Sequence, residues 1–313
     1  MSPNIQVRDC ELYYIPVSMT APLRFGRATV YGLDCLRVRL TVETEDGRVF
    51  HGWGETPLNI SWAWPEAKDN HQSNTIIRRF CSEIATAWRN FNEQGHALEL
   101  GYRFLNTELA RLQHSFRGSP GAVGLPRRAA FLCAAPFDIA LHDAYGLACG
   151  LPTYDTYGSN LLNYDLSTYF GSGEGRFRHK YPSDYFSQSI PTQLNVWHLV
   201  GCGDVVASGR QHLEGTTAQK QPSSLTDWIR RDGVTRFKIK MCGCSWEWDY
   251  RRVLEVGAIA EQLRAPVLSL DFNGTAPNGS YVTSLLGELS QNAHTIYDRI
   301  SYVEQPFSPE TTP

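Results

Sequence analysis

The chain has 313 residues, of which 42% are hydrophobic and 19% are charged, and its formal net charge at pH 7 is -3. This length is sufficient for two domains or one large barrel. The charge gives no broad electrostatic reason to bind nucleic acid or an acidic membrane surface, so neither partner is expected. The N-terminal residues lack the basic and apolar segments of a secretory signal, and no run approaches the roughly 18 apolar residues of a membrane span. A cytoplasmic location is therefore expected.

The first part of the chain combines strand patterns with helix patterns. Residues 5–16 are predicted to form a strand, and residues 35–54 a hairpin in which apolar and polar side chains alternate. Helical patterns follow at about 69–95 and 98–117. Strands followed by helices are typical of a small α+β unit, so residues 1–125 are predicted to form an α+β domain.

An alanine-rich segment, residues 127–149, is apolar on nearly every face and is predicted to be a buried helix. Gly150 and Pro152 follow it in the order that ends helices. Asp138 and His142 are four positions apart and therefore share one face of this helix. A structural hydrogen bond between them is favoured over a catalytic role.

Residues 159–192 are rich in Tyr, Ser, Gly and Pro without clear periodicity and are predicted to be an inserted loop. Strands and helices alternate after this loop. The predicted strands are 194–200, 235–240, 266–271 and 299–304, and the predicted helices are 223–231, 245–263 and 279–291. A closed (β/α) barrel needs eight strands, so residues 126–313 are predicted to be the first half of such a barrel.

Eight cysteines are scattered along the chain and form no CxxC pair. Cys242 and Cys244 are too isolated from further Cys or His to indicate a zinc site. Reduced thiols in core or loop positions are therefore the favoured interpretation.

Ionisable residues lie at the ends of the last three predicted strands. Lys238 and Lys240 are two positions apart on one strand, so they point to the same face. Asp271 lies 31 positions after Lys240, and Glu304 lies 33 positions after Asp271. Each interval fits one strand plus one helix, and the active site of a (β/α) barrel gathers at the carboxyl ends of its strands. The spacing therefore predicts that these four side chains converge.

Their chemistry depends on their surroundings. In a barrel interior, desolvation and mutual repulsion would lower the lysine pKa values and make one lysine a base near neutral pH. The alternative is an edge strand whose lysines face solvent and deter aggregation. Magnesium prefers oxygen ligands, so Asp271 and Glu304 are candidate metal ligands. For Asp271 the alternative is an ordinary cap before a helix, whereas a glutamate that ends a buried strand needs a partner or a metal.

These motifs together resemble the enolase superfamily, in its mandelate racemase and muconate lactonizing branch. The segment from Ala134 to Asp143 resembles the family's linking helix, and Lys238-Ile239-Lys240 resembles its KxK motif. Asp271-Phe272-Asn273 and Glu304-Gln305-Pro306 resemble the strand ends that carry two magnesium ligands. The resemblance implies an α/β fold with an α+β cap: an N-terminal α+β capping domain and an incomplete (β/α) TIM-type barrel.

By this resemblance the reaction is the Mg-dependent removal of a proton α to a carboxylate, with stabilisation of the enediolate that forms. Lys240 would be the acid/base, and Lys238 would lie near the carboxylate of the substrate. Asp271 and Glu304 would hold the magnesium ion.

The expected substrate is a small carboxylate, and four further residues are candidates for binding it: Asn273, His198, Arg24 and Trp62. In the resembling family, substrate choice resides partly in loops of the capping domain. Here Arg24 would pair with an acidic group, and Trp62 or Trp64 would form a wall of the pocket. An exposed loop without such a role is the alternative.

Dehydration of an acid sugar is the leading expectation for the reaction, and racemisation or cycloisomerisation is the alternative. The third metal ligand and a second acid/base belong on later barrel strands, which this sequence does not contain. The chain is therefore expected to be a truncated piece of a longer, homo-oligomeric lyase or isomerase. Otherwise it is a catalytically inactive remnant that acts as a binding or assembly module.

Overall fold

The computed structural model describes residues 3–25, 28–65, 70–117, 125–170, 175–187, 189, 191–207 and 224–308. The chain divides into two compact units. The first contains Met1–Ser18 and Gly32–Ile190, and the second contains Met19–Tyr31 and Pro191–Pro313. No helix in the described part of the chain has both the length and the apolar character needed to span a membrane.

The first unit is built on a three-stranded sheet. Its strands are β1 (Ile5–Phe25), β2 (Ala28–Thr44) and β3 (Val49–Pro57), in the order β1-β2-β3. The end of β1 and the start of β2 lie within Met19–Tyr31 and belong to the second unit. Val38, Leu40 and Val42 are buried because the period of two along β2 turns them all to one face. Strands β2 and β3 pair antiparallel, which confirms the predicted hairpin.

Helices follow this sheet along the chain. They are α1 (Ile60–Ala63), α2 (Asn70–Arg89), α3 (Ala97–Phe104), α4 (Ala110–Arg117) and α5 (Arg127–Cys149). A π-helical segment, Leu105–Leu109, joins α3 to α4. The helix predicted over 98–117 is therefore present but changes its hydrogen-bonding pattern midway.

Helix α5 lies directly on β3. A β-carbon at Gly54 would overlap the backbone of Pro136 and Ala140, and one at Gly52 would overlap that of Ala140 and Ala144. The two glycines therefore allow the backbone of the helix to approach the strand more closely than any side chain would permit.

The packing of α5 places it in the first unit. The expected boundary lay between residues 125 and 126, whereas the first unit extends to Ile190. The apolar residues of α5 belong to the same hydrophobic core as those of the sheet, which accounts for this difference. Within the predicted inserted loop, 159–192, the described residues form short 3-10 turns at Leu166–Thr168 and Pro182–Tyr185.

His142 on α5 has a different partner from the one expected. Its Nε2 atom is 3.9 Å from Oδ1 of Asp138, which is too far for a hydrogen bond. Nδ1 of His142 is instead hydrogen bonded to the hydroxyl of Tyr157, 2.8 Å away. The predicted hydrogen bond between Asp138 and His142 is therefore wrong, because the ring is turned toward the segment that follows the helix.

The second unit is a layer of parallel strands and helices. Its strands are β4 (Trp197–Val200), β5 (Arg236–Lys240), β6 (Val267–Asp271) and β7 (Ile300–Glu304), and its helices are α6 (Leu225–Asp232), α7 (Trp246–Ala260), α8 (Gly279–Asn292) and α9 (His294–Tyr297). The strands pair in the order β4-β5-β6-β7, and all neighbours are parallel.

Side chains of Ser224, Ser245 and Asn278 accept hydrogen bonds from the first turns of α6, α7 and α8 and fix where these helices begin. The predicted alternation of strands and helices is confirmed.

The two faces of the parallel sheet differ in character. Phe237 and Ile239 of β5, with Leu268 and Leu270 of β6, are fully buried in a core that they share with the helices. Because side chains alternate along a strand, the residues next to these four on β5 and β6 point to the opposite face. That opposite face carries the lysines and carboxylates of the sheet.

The parallel sheet curves toward this second face. Trp197 and Tyr302 lie on the two outer strands, yet their ring centroids are only 5.6 Å apart. The outer strands of a flat four-stranded sheet would lie about 14 Å apart, because adjacent strands are spaced by about 4.8 Å. The contact therefore fits a sheet rolled as in a (β/α) barrel.

Candidate active site

Strand register brings Lys240, Asp271 and Glu304 into one row. Lys240 lies opposite Asp271 between β5 and β6, and Asp271 lies opposite Glu304 between β6 and β7. Each is the last residue of its strand, so the row lies at the carboxyl edge of the sheet. Lys238 precedes Lys240 by two residues and therefore points to the same face.

These side chains form one ionic cluster. Nζ of Lys240 is 2.5 Å from Oδ2 of Asp271 and 2.9 Å from Oδ1 of Asn273. Nζ of Lys238 is 2.6 Å from Oε2 of Glu304 and 3.1 Å from Oδ2 of Asp271. Asp271 therefore pairs with both lysines, and five of the predicted site residues are brought together.

The charges in the cluster compensate one another. Asp271 is fully buried and Lys240 is 6% exposed, whereas the side chains of Lys238 and Glu304 are 23% and 31% exposed. Burial by itself would lower the pKa of Lys238, but the hydrogen bond with Glu304 and the charge of Asp271 outweigh burial and raise that pKa. The expectation that repulsion between the lysines lowers the pKa is therefore wrong for Lys238, because each ammonium group has a carboxylate partner.

Neither structural alternative for these residues applies. Strand β5 is an inner strand of the sheet, so its lysines do not protect an edge. Asp271 does not cap α8, which begins at Gly279 with Asn278 as its cap. Oδ1 of Asp271 instead accepts a hydrogen bond from the amide of Asn273 across 2.9 Å. This turn holds Asn273 at a φ of 50° while its side chain meets Lys240.

The carboxylates suit a magnesium ion in part. Nζ of Lys238 lies within 3.1 Å of oxygen atoms of both Asp271 and Glu304, so the two carboxylates converge on a single cation. Magnesium takes oxygen ligands and usually keeps several waters, so this pair is a suitable part of its ligand set. Among the described residues, no group of three or more His, Cys, Asp or Glu side chains could hold a metal. The fit is therefore limited to two protein ligands.

The structure does not bring His198 to the cluster. On β4 this residue lies opposite Phe237, whose side chain is on the helix side of the sheet. Its ring centroid is 5.4 Å from that of Trp228 on α6. His198 therefore points away from the cluster, and its role as a substrate-binding residue stays a prediction. Because side chains alternate along β4, the side chain that points toward the site is that of Leu199. Leu199 lies opposite Lys238 in register.

Arg24 is also engaged away from the cluster. Its Nη1 atom donates to the backbone oxygen of Gly203 across 3.2 Å, and with His198 it lines a cavity of about 280 Å³. The neighbouring ring of Phe25 lies 5.6 Å from Nζ of Lys240. The segment therefore reaches the cluster through Phe25.

Trp62 belongs to the first unit. It is partly buried against the core of that unit, and the guanidinium of Arg128 lies 5.2 Å from the centroid of its ring. Its role as a wall of the substrate pocket stays a prediction.

A buried hydroxyl beside the cluster was not predicted. Ser269 lies opposite Lys238 in register and is fully buried. Its Oγ atom has no hydrogen-bond partner among the described residues. The available signal was a serine that interrupts an apolar strand at the position of the lysine face.

Comparison with known proteins gives matches in structure alone. No protein-family model matches the chain, and no curated protein matches its sequence. A dipeptide epimerase from Enterococcus faecalis V583, solved with Mg and the dipeptide L-Leu-L-Tyr, has a TM-score of 0.51 at 17% identity and covers 98% of this chain and 62% of its own. A mandelate racemase/muconate lactonizing protein from Herpetosiphon aurantiacus has a TM-score of 0.54 at 14% identity. The match covers 98% of this chain and 62% of that protein.

A muconate lactonizing enzyme from Pseudomonas fluorescens, solved with muconolactone, has a TM-score of 0.53 at 16% identity and covers 98% of this chain and 61% of its own. The chain has the fold of these mandelate racemase and muconate lactonizing proteins. This confirms the predicted resemblance and the fold class of an α+β cap with an incomplete barrel. The chain spans 61–62% of the length of these structures. At such identities the similarity establishes the fold, and function has to be inferred from the site.

Proposed function

We propose that this chain provides the capping domain and the first barrel strands of a magnesium-dependent enzyme that removes a proton α to a carboxylate. The observation that carries the proposal is the convergence of two lysines and two carboxylates at the carboxyl edge of one curved parallel sheet. An α-proton of a carboxylate is very weakly acidic, so its removal needs a base beside groups that stabilise the enediolate. The cluster contains residues for both tasks.

Each residue of the cluster has its own role in the proposal. Lys240 takes the α-proton at Nζ, and Asp271 and Asn273 hold that atom in position. Lys238 is more exposed and binds the carboxylate of the substrate.

Asp271 and Glu304 are the proposed magnesium ligands. A bound magnesium ion would supply the positive charge that stabilises the enediolate oxygen atoms. Support comes from the approach of both carboxylates to one ammonium nitrogen, which marks a place where a cation is favourable.

The proposed reaction class is isomerisation. The similar structures include a dipeptide epimerase and a muconate lactonizing enzyme, and these names favour epimerisation or cycloisomerisation over the dehydration of an acid sugar. The proposed substrate is a small carboxylate such as a dipeptide. Assembly into a homo-oligomer stays a prediction, which the mass measured by light scattering would check.

Exchange of the substrate α-proton tests the proposal. The protein is incubated with Mg in deuterated water with dipeptides, muconolactone or acid sugars, and loss of the α-proton signal is followed by NMR. We expect exchange with one of these classes, no exchange by Lys240→Ala, and normal exchange by Lys180→Ala, which removes a lysine from the first unit. The same assay is also done on a longer protein, expressed from the reading frame extended beyond codon 313. Absent exchange in both forms, together with absent magnesium binding by calorimetry, would favour the inactive remnant.

A further inference from the structure

Two cysteines lie side by side directly after strand β5. The Sγ atoms of Cys242 and Cys244 are 3.3 Å apart, and both residues are free thiols. Cys244 is exposed and Cys242 is half-buried, so reagents in solvent reach the pair. A disulfide bond has an S–S length of about 2.05 Å, so the two sulfur atoms need to approach by little more than about 1 Å.

We infer that Cys242 and Cys244 form a redox-active dithiol, which closes to a disulfide on oxidation by hydrogen peroxide and reopens with a thiol reductant. The inference rests on the contact between the two thiols and on the shape of their loop. It is independent of the proposed α-proton chemistry.

The loop that carries the pair is held by a buried carboxylate. Asp249 is fully buried; its Oδ1 accepts from the amide of Cys242 across 2.8 Å, and its Oδ2 accepts from the amide of Gly243 across 2.9 Å. The hydroxyl of Tyr281 donates to the same Oδ2 across 2.7 Å. Gly243 has a φ of 66°, and a β-carbon there would lie 2.5 Å from Thr275. The backbone at Cys242 and Gly243 is therefore fixed in a tight turn that brings the two thiols together.

The fixed part of the loop determines which thiol moves. Asp249 holds the amides of Cys242 and Gly243, whereas Cys244 lies on the exposed side of the turn. Closure of the disulfide is therefore expected to move Cys244 toward Cys242 and to leave the end of β5 in place. Burial also raises the pKa of the Cys242 thiol, which leaves Cys244 as the thiol that reacts first.

The chemistry proceeds in two steps. The Cys244 sulfur attacks one oxygen of hydrogen peroxide, the O–O bond breaks, and the thiol proton leaves with the departing oxygen as water. The Cys242 sulfur then attacks the sulfenic sulfur of Cys244, the S–S bond forms, and the S–O bond breaks to release a second water. The two thiols lose two electrons in total, and the peroxide is reduced to two waters.

Peptide mass spectrometry tests the inference directly. Trypsin cleaves after Lys240 and Arg251, so the peptide 241–251 contains Cys242 and Cys244 and no other cysteine. The native protein is treated with a small molar excess of hydrogen peroxide, alkylated and digested. We expect a peptide that is lighter by two hydrogen atoms and carries no alkyl group. After reduction with dithiothreitol the same peptide should accept two alkyl groups.

Cys81 and Cys133 provide an internal control. Their thiols are also hydrogen bonded to each other, but both residues are fully buried. They should remain reduced in the native protein, and Cys244→Ser should abolish the mass change of the 241–251 peptide. Alkylation of both Cys242 and Cys244 after peroxide treatment would overturn the inference. Sulfinic acid at Cys244, or a disulfide to another peptide, would also overturn it.

Discussion

Oδ2 of Asp271 lies 2.5 Å from Nζ of Lys240, and both side chains are buried. A buried ion pair loses much of its Coulomb attraction to desolvation, so its net contribution to stability is small. Removal of one partner is different, because it leaves the other charge buried without compensation.

Asp271→Ala should therefore lower the free energy of unfolding by about 3–5 kcal/mol, the range measured for broken buried pairs. Asp271→Asn should lower it by less, because the amide still accepts a hydrogen bond from Lys240. Urea unfolding of both variants at pH 7 measures the difference. The double variant Asp271→Ala/Lys240→Met should recover part of the loss. If the double variant were less stable than Asp271→Ala, the lysine charge would not be the cause.

Under the proposed function, Lys238 and a magnesium ion would compete for the same carboxylates. Its Nζ lies within 3.1 Å of oxygens of Asp271 and Glu304. Lys238→Met should therefore tighten magnesium binding at least about fivefold, since removal of a unit charge at this distance is worth about 1 kcal/mol or more. Calorimetric titration with magnesium measures the change. Lys180→Met alters the net charge equally and should leave the affinity unchanged.

His96 makes the stability of the first unit depend on pH. It is fully buried, its Nδ1 accepts from the amide of Leu98 across 3.0 Å, and its Nε2 is 3.0 Å from the backbone oxygen of Thr156. Burial lowers the pKa of His96 to about 4. The unfolded chain, with an ordinary pKa near 6.5, binds a proton that the folded form excludes. The stabilisation is therefore complete above about pH 6.5 and is lost as the pH falls toward 4.

Unfolding by urea at pH 7 and pH 5 should show a loss of about 2 kcal/mol from His96, which follows from the difference between these two pKa values. His96→Asn keeps a side chain that can cap α3 but does not titrate in this range. This variant should lose correspondingly less stability between the two pH values. An equal loss in both proteins would assign the pH dependence to other groups.

The approach of α5 to β3 leaves no room for a β-carbon at Gly54. Gly54→Ala should therefore destabilise the protein by about 2 kcal/mol or more, because the helix would have to move away from the strand. Gly287, inside α8, has open space around the position of a β-carbon. Gly287→Ala should raise stability by about 0.5–1 kcal/mol through the greater helix propensity of alanine. Thermal unfolding of both variants compares the two effects.

The sequence by itself determined the order of strands and helices in both units. Period-two and helical patterns, together with turn residues, located the strands that end at Lys240, Asp271 and Glu304 to within one residue. The common chain direction of successive strands in a βα repeat then implied that these ends meet at one edge. The convergence of the four charged residues followed from this spacing.

Only the tertiary structure decided the partners of these side chains. Side chains along β4 alternate between the two faces of the sheet, and His198 is on the face toward α6. A strand of four residues is too short for the sequence to show which of its residues belong to which face. The strand register places Asp271 between two lysines, so attraction to carboxylates outweighs both repulsion and burial in the pKa of Lys238. Contacts between residues distant in sequence depend on register and packing, which local patterns do not encode.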